Sequence, residues 1–322
     1  MVSCFNIEKE KGASIIMKRI PGGVYPVMIT PYTEDLQIDY VAVEQLLQWY
    51  KKGGCQGIFA LCQSSEIFSL TFDERLSLID FIMKHRPEGV AIVASGHVSD
   101  DLDTAVYEAE KIIETGVDAY VFITNRFAKQ DEDDDVLLKN MFAMADRLPE
   151  IPLGVYEAPG PYHRKLTPYV LREMIKDERF QFIKDTCCSI SMLRERLDIV
   201  RNSNLGIFNA NAATLLESLK MGAAGFSGVM ANFYPEIIVE ECRCFKENPE
   251  KAEQLQDFVG FCSAAEGQVY SSNCKYFLQL EGLDITTKSR TCDDSRLDEL
   301  KRLSAQQLHG MKQFYDKLFS LE

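Results

Sequence analysis

The sequence predicts a (β/α)8 barrel with a C-terminal helical extension, and three observations carry that reading. Eight short apolar segments recur along the chain, at 23–30, 57–62, 89–96, 119–124, 151–158, 180–186, 205–211 and 223–229. Each is followed by a helix-length amphipathic stretch, so strand and helix alternate throughout. The segments are mostly continuous apolar runs, as expected of parallel strands packed on one side and covered on the other. A doubly wound open sheet is the rival, but no Gly-x-Gly-x-x-Gly follows the first strand.

The elements justify themselves in order. GVYPVMIT opens the first unit, and Asp39 stands as N-cap before YVAVEQLLQWYKK. After GIFALC, Thr71 with Glu74 three residues on forms a capping box ahead of FDERLSLIDFIMKH. GVAIVASG leads to Asp100 or Asp101, either of which can start LDTAVYEAEKIIETG, and Gly116 ends that helix. AYVFIT is followed by the acidic run Asp131-Glu132-Asp133-Asp134-Asp135, which lacks the spacing and turn glycine of a calcium loop. Those acids suit the start of the next helix, where the macrodipole favours negative charge. IPLGVYEA precedes Thr167-Pro168, with proline at the favoured first helical position. FQFIKDT, LGIFNAN and AAGFSGV complete the eight strands. From residue 234 the pattern is helical, with TCDDS at 291–295 read as a surface linker. The expected organisation is an N-terminal extension at 1–19, the barrel at 20–245 and a helical C-terminal extension at 246–322.

Composition excludes several function classes. The formal net charge of −14 repels phosphate backbones and anionic lipid, so neither nucleic acid nor a membrane surface is an expected partner. Ten cysteines occur without framework or zinc-ligand spacing, which suggests free thiols and a reducing compartment, the cytoplasm. No apolar run approaches the ~20 residues that span a bilayer.

The chemistry-bearing residues sit where a barrel presents them, at the carboxyl ends of its strands. Tyr156 ends the fifth strand and Lys184 the sixth, 184 − 156 = 28 residues apart, about one strand–helix unit. A lysine at the end of an apolar strand is costly to bury as a cation, so its pKa should fall. A neutral lysine is a nucleophile toward ketones, and a nearby tyrosine can shuttle protons. Other strand ends offer Thr30, Ser64, Ser65, Glu66, Thr186 and Asn211. No carboxylate cluster suited to a divalent metal appears among them, and no organic cofactor is called for.

These motifs resemble those of the dihydrodipicolinate synthase/N-acetylneuraminate lyase family of class I, pyruvate-handling aldolases. The resemblance rests on Cys62-Gln63-Ser64-Ser65-Glu66 after the second strand, Tyr156-Glu157-Ala158-Pro159 after the fifth, and Lys184-Asp185-Thr186 on the sixth. It implies that Lys184 forms an imine with pyruvate or a 2-keto acid while Tyr156 relays protons. It also implies that Ser64 and Ser65 hold the substrate carboxylate, that Thr186 orients the substrate, and that Ala210 and Asn211 lie beside it. Glu66 reads as a buried structural acid. The implied reaction is aldol cleavage, condensation or dehydration of a 2-keto or 2-keto-3-deoxy acid by a cytoplasmic homotetramer or dimer.

The departures shape the alternatives. Synthases of the family usually carry a tyrosine after strand four, where this chain has Thr124-Asn125-Arg126-Phe127, and an arginine shortly after Tyr-x-x-Pro, where it has Pro161. Sialic acid lyases carry an acidic pair after strand seven, where it has Asn209-Ala210-Asn211-Ala212-Ala213. Dihydrodipicolinate synthase proper, N-acetylneuraminate lyase and a non-catalytic keto-acid-binding barrel are the alternatives. Arg126, His163 and Arg164 are expected contacts for a distal carboxylate or sugar acid. Glu157 is open between two readings: a structural acid paired with Arg164 or Arg126, or a second acid/base. Tyr270, Lys275 and Tyr276 fall in the C-terminal extension, and Lys275 is the weaker imine lysine because no apolar strand presents it.

Overall fold

The computed structural model describes residues 19–319, so the expected N-terminal extension lies outside the described residues except for Arg19. Eight parallel strands form one sheet: β1 (Gly23–Val24), β2 (Gly57–Ala60), β3 (Ala91–Ala94), β4 (Ala119–Ile123), β5 (Leu153–Tyr156), β6 (Phe180–Asp185), β7 (Gly206–Asn209) and β8 (Gly225–Phe226). They are ordered β1-β8-β7-β6-β5-β4-β3-β2. A parallel bridge between Val27 and Phe59 joins β1 to β2 and closes the ring. Around it stand α1 (Tyr40–Lys52), α2 (Phe72–Lys84), α3 (Leu102–Glu114), α4 (Asp134–Ala145), α5 (Pro168–Met174), α6 (Ile190–Val200), α7 (Leu215–Lys220) and α8 (Pro235–Cys244). Three further helices follow: α9 (Pro249–Cys262), α10 (Ser272–Leu280) and α11 (Glu299–Phe319). The (β/α)8 barrel expected from the strand–helix alternation is therefore the fold.

The strands are shorter than the apolar runs that announce them. The first run, 23–30, yields only Gly23–Val24 plus the Val27 bridge, because Pro26 has no N–H to donate to a ladder. Pro26 still accepts: the Phe59 N–H donates to its carbonyl at 2.9 Å. Where β1 meets β8, a Cβ on Gly225 would lie 1.8 Å from the Gly23 carbonyl oxygen, so only glycine closes the barrel there.

The helix starts follow their caps. Asp39 accepts from the Val41 and Ala42 N–H groups, and Thr71 and Glu74 cap α2 reciprocally. Asp101, rather than Asp100, accepts from Thr104 N–H to open α3. Asp133 caps α4 and places Asp134 and Asp135 in its first turn. Inside the barrel, Tyr25, Phe59, Phe182 and Phe208 stack in a continuous aromatic layer, with Phe182 and Phe208 centroids 4.4 Å apart. This layer fills the barrel beneath the carboxyl ends of the strands and leaves a floor for a shallow site. Among the described residues no helix is long and apolar enough to cross a membrane.

Candidate active site

Strand alternation decides which residues face the barrel axis. Tyr156 and Lys184 are directly paired in the β5–β6 register, so they point to the same side. Both are buried, and the Lys184 Nζ stands 4.1 Å from the centroid of the Tyr156 ring and 5.8 Å from that of Phe59. They line a cavity of about 240 Å3 together with Gln63, Ser64, Thr186 and Tyr270. A larger cavity of about 770 Å3, lined by Arg19, Leu205, Gly206 and Met221, lies at the amino ends of the strands. It is remote from both residues.

Burial dominates the electrostatics. It brings the Lys184 ammonium down from 10.5 to about 8, while Cys62 and Glu266 pull the other way. Burial also pushes the Tyr156 phenol well above its ordinary value. Glu266 is pushed up to about 7 by burial, with Lys184 pulling it down, and its Oε2 is buried without a hydrogen-bond partner.

The next residue on each strand points outward, into the layer between barrel and helices. Glu157 follows Tyr156 and Asp185 follows Lys184, and Arg196 of α6 joins both, at 2.7 Å to Glu157 and 2.5 Å to Asp185. All three are at most 1 % exposed, which makes this a closed ion triad. Glu157 further accepts from the Leu166 N–H at 2.6 Å and the Thr186 N–H at 3.1 Å. Of the two readings of Glu157, the structure favours the structural acid over a second acid/base or a substrate contact, and its expected partner, Arg164 or Arg126, is corrected to Arg196. It is a structural acid held by Arg196, because its place directly after β5 faces away from the axis.

Thr186 lines the cavity, and its hydroxyl donates to the Glu157 carbonyl at 2.7 Å. With that proton committed, His163 Nε2, 2.8 Å away, must be the donor to the Thr186 oxygen. Ser64 lines the cavity, but Ser65 does not: its hydroxyl donates to the Met28 carbonyl at 2.7 Å and accepts from the Cys62 N–H at 3.1 Å. The tight turn after β2 therefore exposes Gln63 and Ser64 instead of the expected Ser64 and Ser65. Glu66 is buried and accepts from the Arg290 and Thr291 N–H groups and the Ser271 hydroxyl.

Ala210 lines the cavity, whereas the Asn211 side chain caps the following turn by accepting from the Ala213 N–H at 2.9 Å. Arg126 lines a separate cavity of about 440 Å3, pairs with Asp100 at 3.2 Å and lies over the Phe68 ring. Arg164 is turned to Asp134 at 2.8 Å. Asn211, Arg126 and Arg164 are thus displaced from the lysine cavity. Lys275 is buried against Glu66 and the Tyr32 ring, and burial lowers it to about 8, but it does not line this cavity.

Gln63, Tyr270 and Glu266 are the groups sequence reasoning did not assign to the site. Tyr270 and Glu266 arrive on the segment between α9 and α10, which folds back over the barrel mouth and ties Ser271 to Glu66. No local pattern announces such a contact. Among the described residues no group of three or more His, Cys, Asp or Glu side chains could hold a metal ion.

The comparisons with known proteins agree on a single relationship. The model of the dihydrodipicolinate synthetase family matches residues 20–303. A 4-hydroxy-tetrahydrodipicolinate synthase of Pseudoalteromonas atlantica is 24% identical over 238 residues, 74% of this chain and 80% of that protein. Among solved structures, YagE, a prophage protein of E. coli K12 in complex with pyruvate, superposes with a TM-score of 0.82 at 20% identity, covering 90% of this chain and 98% of that one. The sialic acid aldolase of Ruminococcus gnavus gives 0.80 at 18% identity, covering 91% and 98%.

Proposed function

Because the chain belongs to the dihydrodipicolinate synthetase family of lyases and aldolases, we propose that it is a Schiff-base enzyme acting on pyruvate or a 2-keto(-3-deoxy) acid through Lys184. The observation that carries the reading is the Lys184 amine held 4.1 Å from the Tyr156 ring, buried, in a cavity of about 240 Å3 suited to a small keto acid. Burial keeps part of the amine neutral near physiological pH, as a nucleophile must be.

The proposed steps use that geometry. The neutral amine adds to the C2 carbonyl, and Tyr156 supplies the proton that lets the carbinolamine oxygen leave as water. The resulting iminium draws electrons from the breaking C3–C4 bond, while the C4 hydroxyl gives its proton to the Tyr156 phenolate and becomes a carbonyl. The enamine is then protonated at C3, and hydrolysis frees pyruvate and Lys184. Neutral donors, the Ser64 hydroxyl and the backbone N–H groups of its turn, would receive the substrate carboxylate. The reverse direction is aldol condensation. Dehydration of a 3-deoxy sugar acid uses the same iminium. Assembly as a homotetramer or dimer belongs to the same reading.

Condensation of pyruvate with a second carboxylated substrate is less favoured, since Arg126 and Arg164 are engaged with Asp100 and Asp134. The test is intact mass after incubation with pyruvate and borohydride. A pyruvyl adduct on the wild type that is absent from Lys184→Ala is expected. No adduct on either overturns the reading.

A further inference from the structure

Imine chemistry moves protons at two places, the carbinolamine oxygen and the α-carbon, and these do not lie in one direction from the lysine. Tyr156 comes from β5. In the ring of eight strands β5 lies directly across from β1. The one other phenol among the cavity's lining residues is Tyr270, and its neighbours belong to the β1 side. Its hydroxyl accepts at 2.9 Å from Nδ2 of Asn232, just after β8, and it shares the cavity with Ser64, just after β2.

The orientation of Asn232 is fixed by its other bonds. Its Nδ2 also donates to the Val27 carbonyl at 2.9 Å, which can only accept, and its Oδ1 accepts from the Tyr50 hydroxyl at 2.6 Å. Asn232 is fully buried. The amide must therefore present N–H to the Tyr270 oxygen and cannot take the phenolic proton. That proton is left for Ser64 or for a ligand. An N–H donor aimed at a phenol oxygen also stabilises that oxygen when it becomes an anion. The segment reaches this position with Val269, a β-branched residue, at φ 55°, a backbone outlier of the kind found where a side chain must be aimed.

We propose that Tyr270 is a second catalytic phenol, which exchanges a proton with the α-carbon of the keto acid bound to Lys184. The inference rests on the imine reading above. Tyr270 O–H gives its proton to the enamine carbon, the C=C electrons form the new C–H bond, and the nitrogen lone pair forms C=N+. Iminium and phenolate appear together as an ion pair, the phenolate receiving the Asn232 N–H. In reverse, the phenolate removes the α-proton and the iminium becomes the enamine. Burial holds the free phenol well above its usual range while Ser64 and Asn232 pull it down, so it ionises only beside the cation it helps create. Both phenols are supplied by one chain.

The test uses pyruvate alone. Exchange of its methyl protons for deuterium in D2O is followed by NMR, and borohydride adducts are followed by intact mass, for wild type, Tyr270→Phe and Lys184→Ala. Tyr270→Phe should still yield the adduct, which also shows that the variant is folded, while its methyl exchange falls about tenfold or more. Lys184→Ala should lose both signals. Exchange by Tyr270→Phe within threefold of wild type overturns the role of Tyr270 and leaves the imine intact. A Tyr270→Phe protein that forms no adduct overturns the assignment to the α-carbon, since the phenol is then needed earlier. No adduct on the wild type overturns the imine reading itself, and this role with it.

Discussion

Lys184 and Glu266 titrate as a coupled pair, and replacing the acid should move the lysine in a defined direction. Burial brings Lys184 from 10.5 to about 8 against the opposing pull of Glu266. At pH 7 that change raises the neutral fraction from about 1 in 3,000 to about 1 in 10, a gain of roughly 300-fold in nucleophile. Glu266 itself is pushed to about 7, so its anion is lost just below neutrality. The Glu266 anion favours the Lys184 cation and the cation favours the anion, so protonating either group disfavours protonating the other, and the wild-type lysine curve should be broad. Glu266→Gln removes a carboxylate that favours the Lys184 cation. The midpoint then falls below about 8 and the curve sharpens to a single ionisation. Competitive acetylation with trace acetic anhydride across pH 5–11, read on the Lys184 peptide by mass, measures it. A wild-type midpoint near 10.5, or a midpoint that rises in Glu266→Gln, would refute the burial argument.

Two further predictions concern stability. Arg196→Met leaves Glu157 and Asp185 buried without their cation and should cost about 3–5 kcal/mol in urea denaturation; a loss under about 1 kcal/mol would mean that the triad is relaxed by water. Lys184→Met should stabilise the protein at pH 7, because the folded state holds this lysine at about 8 against 10.5 in the unfolded chain. Between those two values the unfolded chain binds more protons, so wild-type stability rises with pH across that window. Below about 8 the full penalty applies, about 3 kcal/mol, and the variant escapes it. A variant no more stable than wild type at pH 7, with the gap failing to close toward pH 10.5, would contradict this.

Much of the architecture was legible because it is local. Strand runs, the Thr71–Glu74 box and the Asp39 cap are written in adjacent residues, and the barrel follows from their alternation. Tyr156 and Lys184 were legible because each ends an apolar run. The outward turn of Glu157 was implicit in strand alternation, but its partner was not: Arg196 lies 39 residues on, and only the packing of α6 on β5 and β6 selects it over Arg126 or Arg164. The pairing of Gln63 with Ser64 depends on how a tight turn rotates three consecutive side chains, which composition does not encode. Tyr270 and Glu266 were beyond reach for a different reason. Their segment crosses the barrel mouth through contacts such as Ser271 to Glu66, 205 residues apart in sequence.

The triad of Glu157, Arg196 and Asp185 has a wider consequence. Glu157 is the immediate neighbour of Tyr156 and Asp185 that of Lys184, so a single guanidinium on the far side of the wall sets where two side chains stand inside it. Tyr156 and Lys184 are indexed from behind, whereas Gln63, Ser64, Ala210 and Tyr270 reach the cavity from turns and from the returning C-terminal segment. Alterations at the mouth can therefore change which molecule is accepted while the spacing of amine and phenol stays constant. On the imine reading proposed above, such a barrel can wander among substrates without having to rediscover its chemistry.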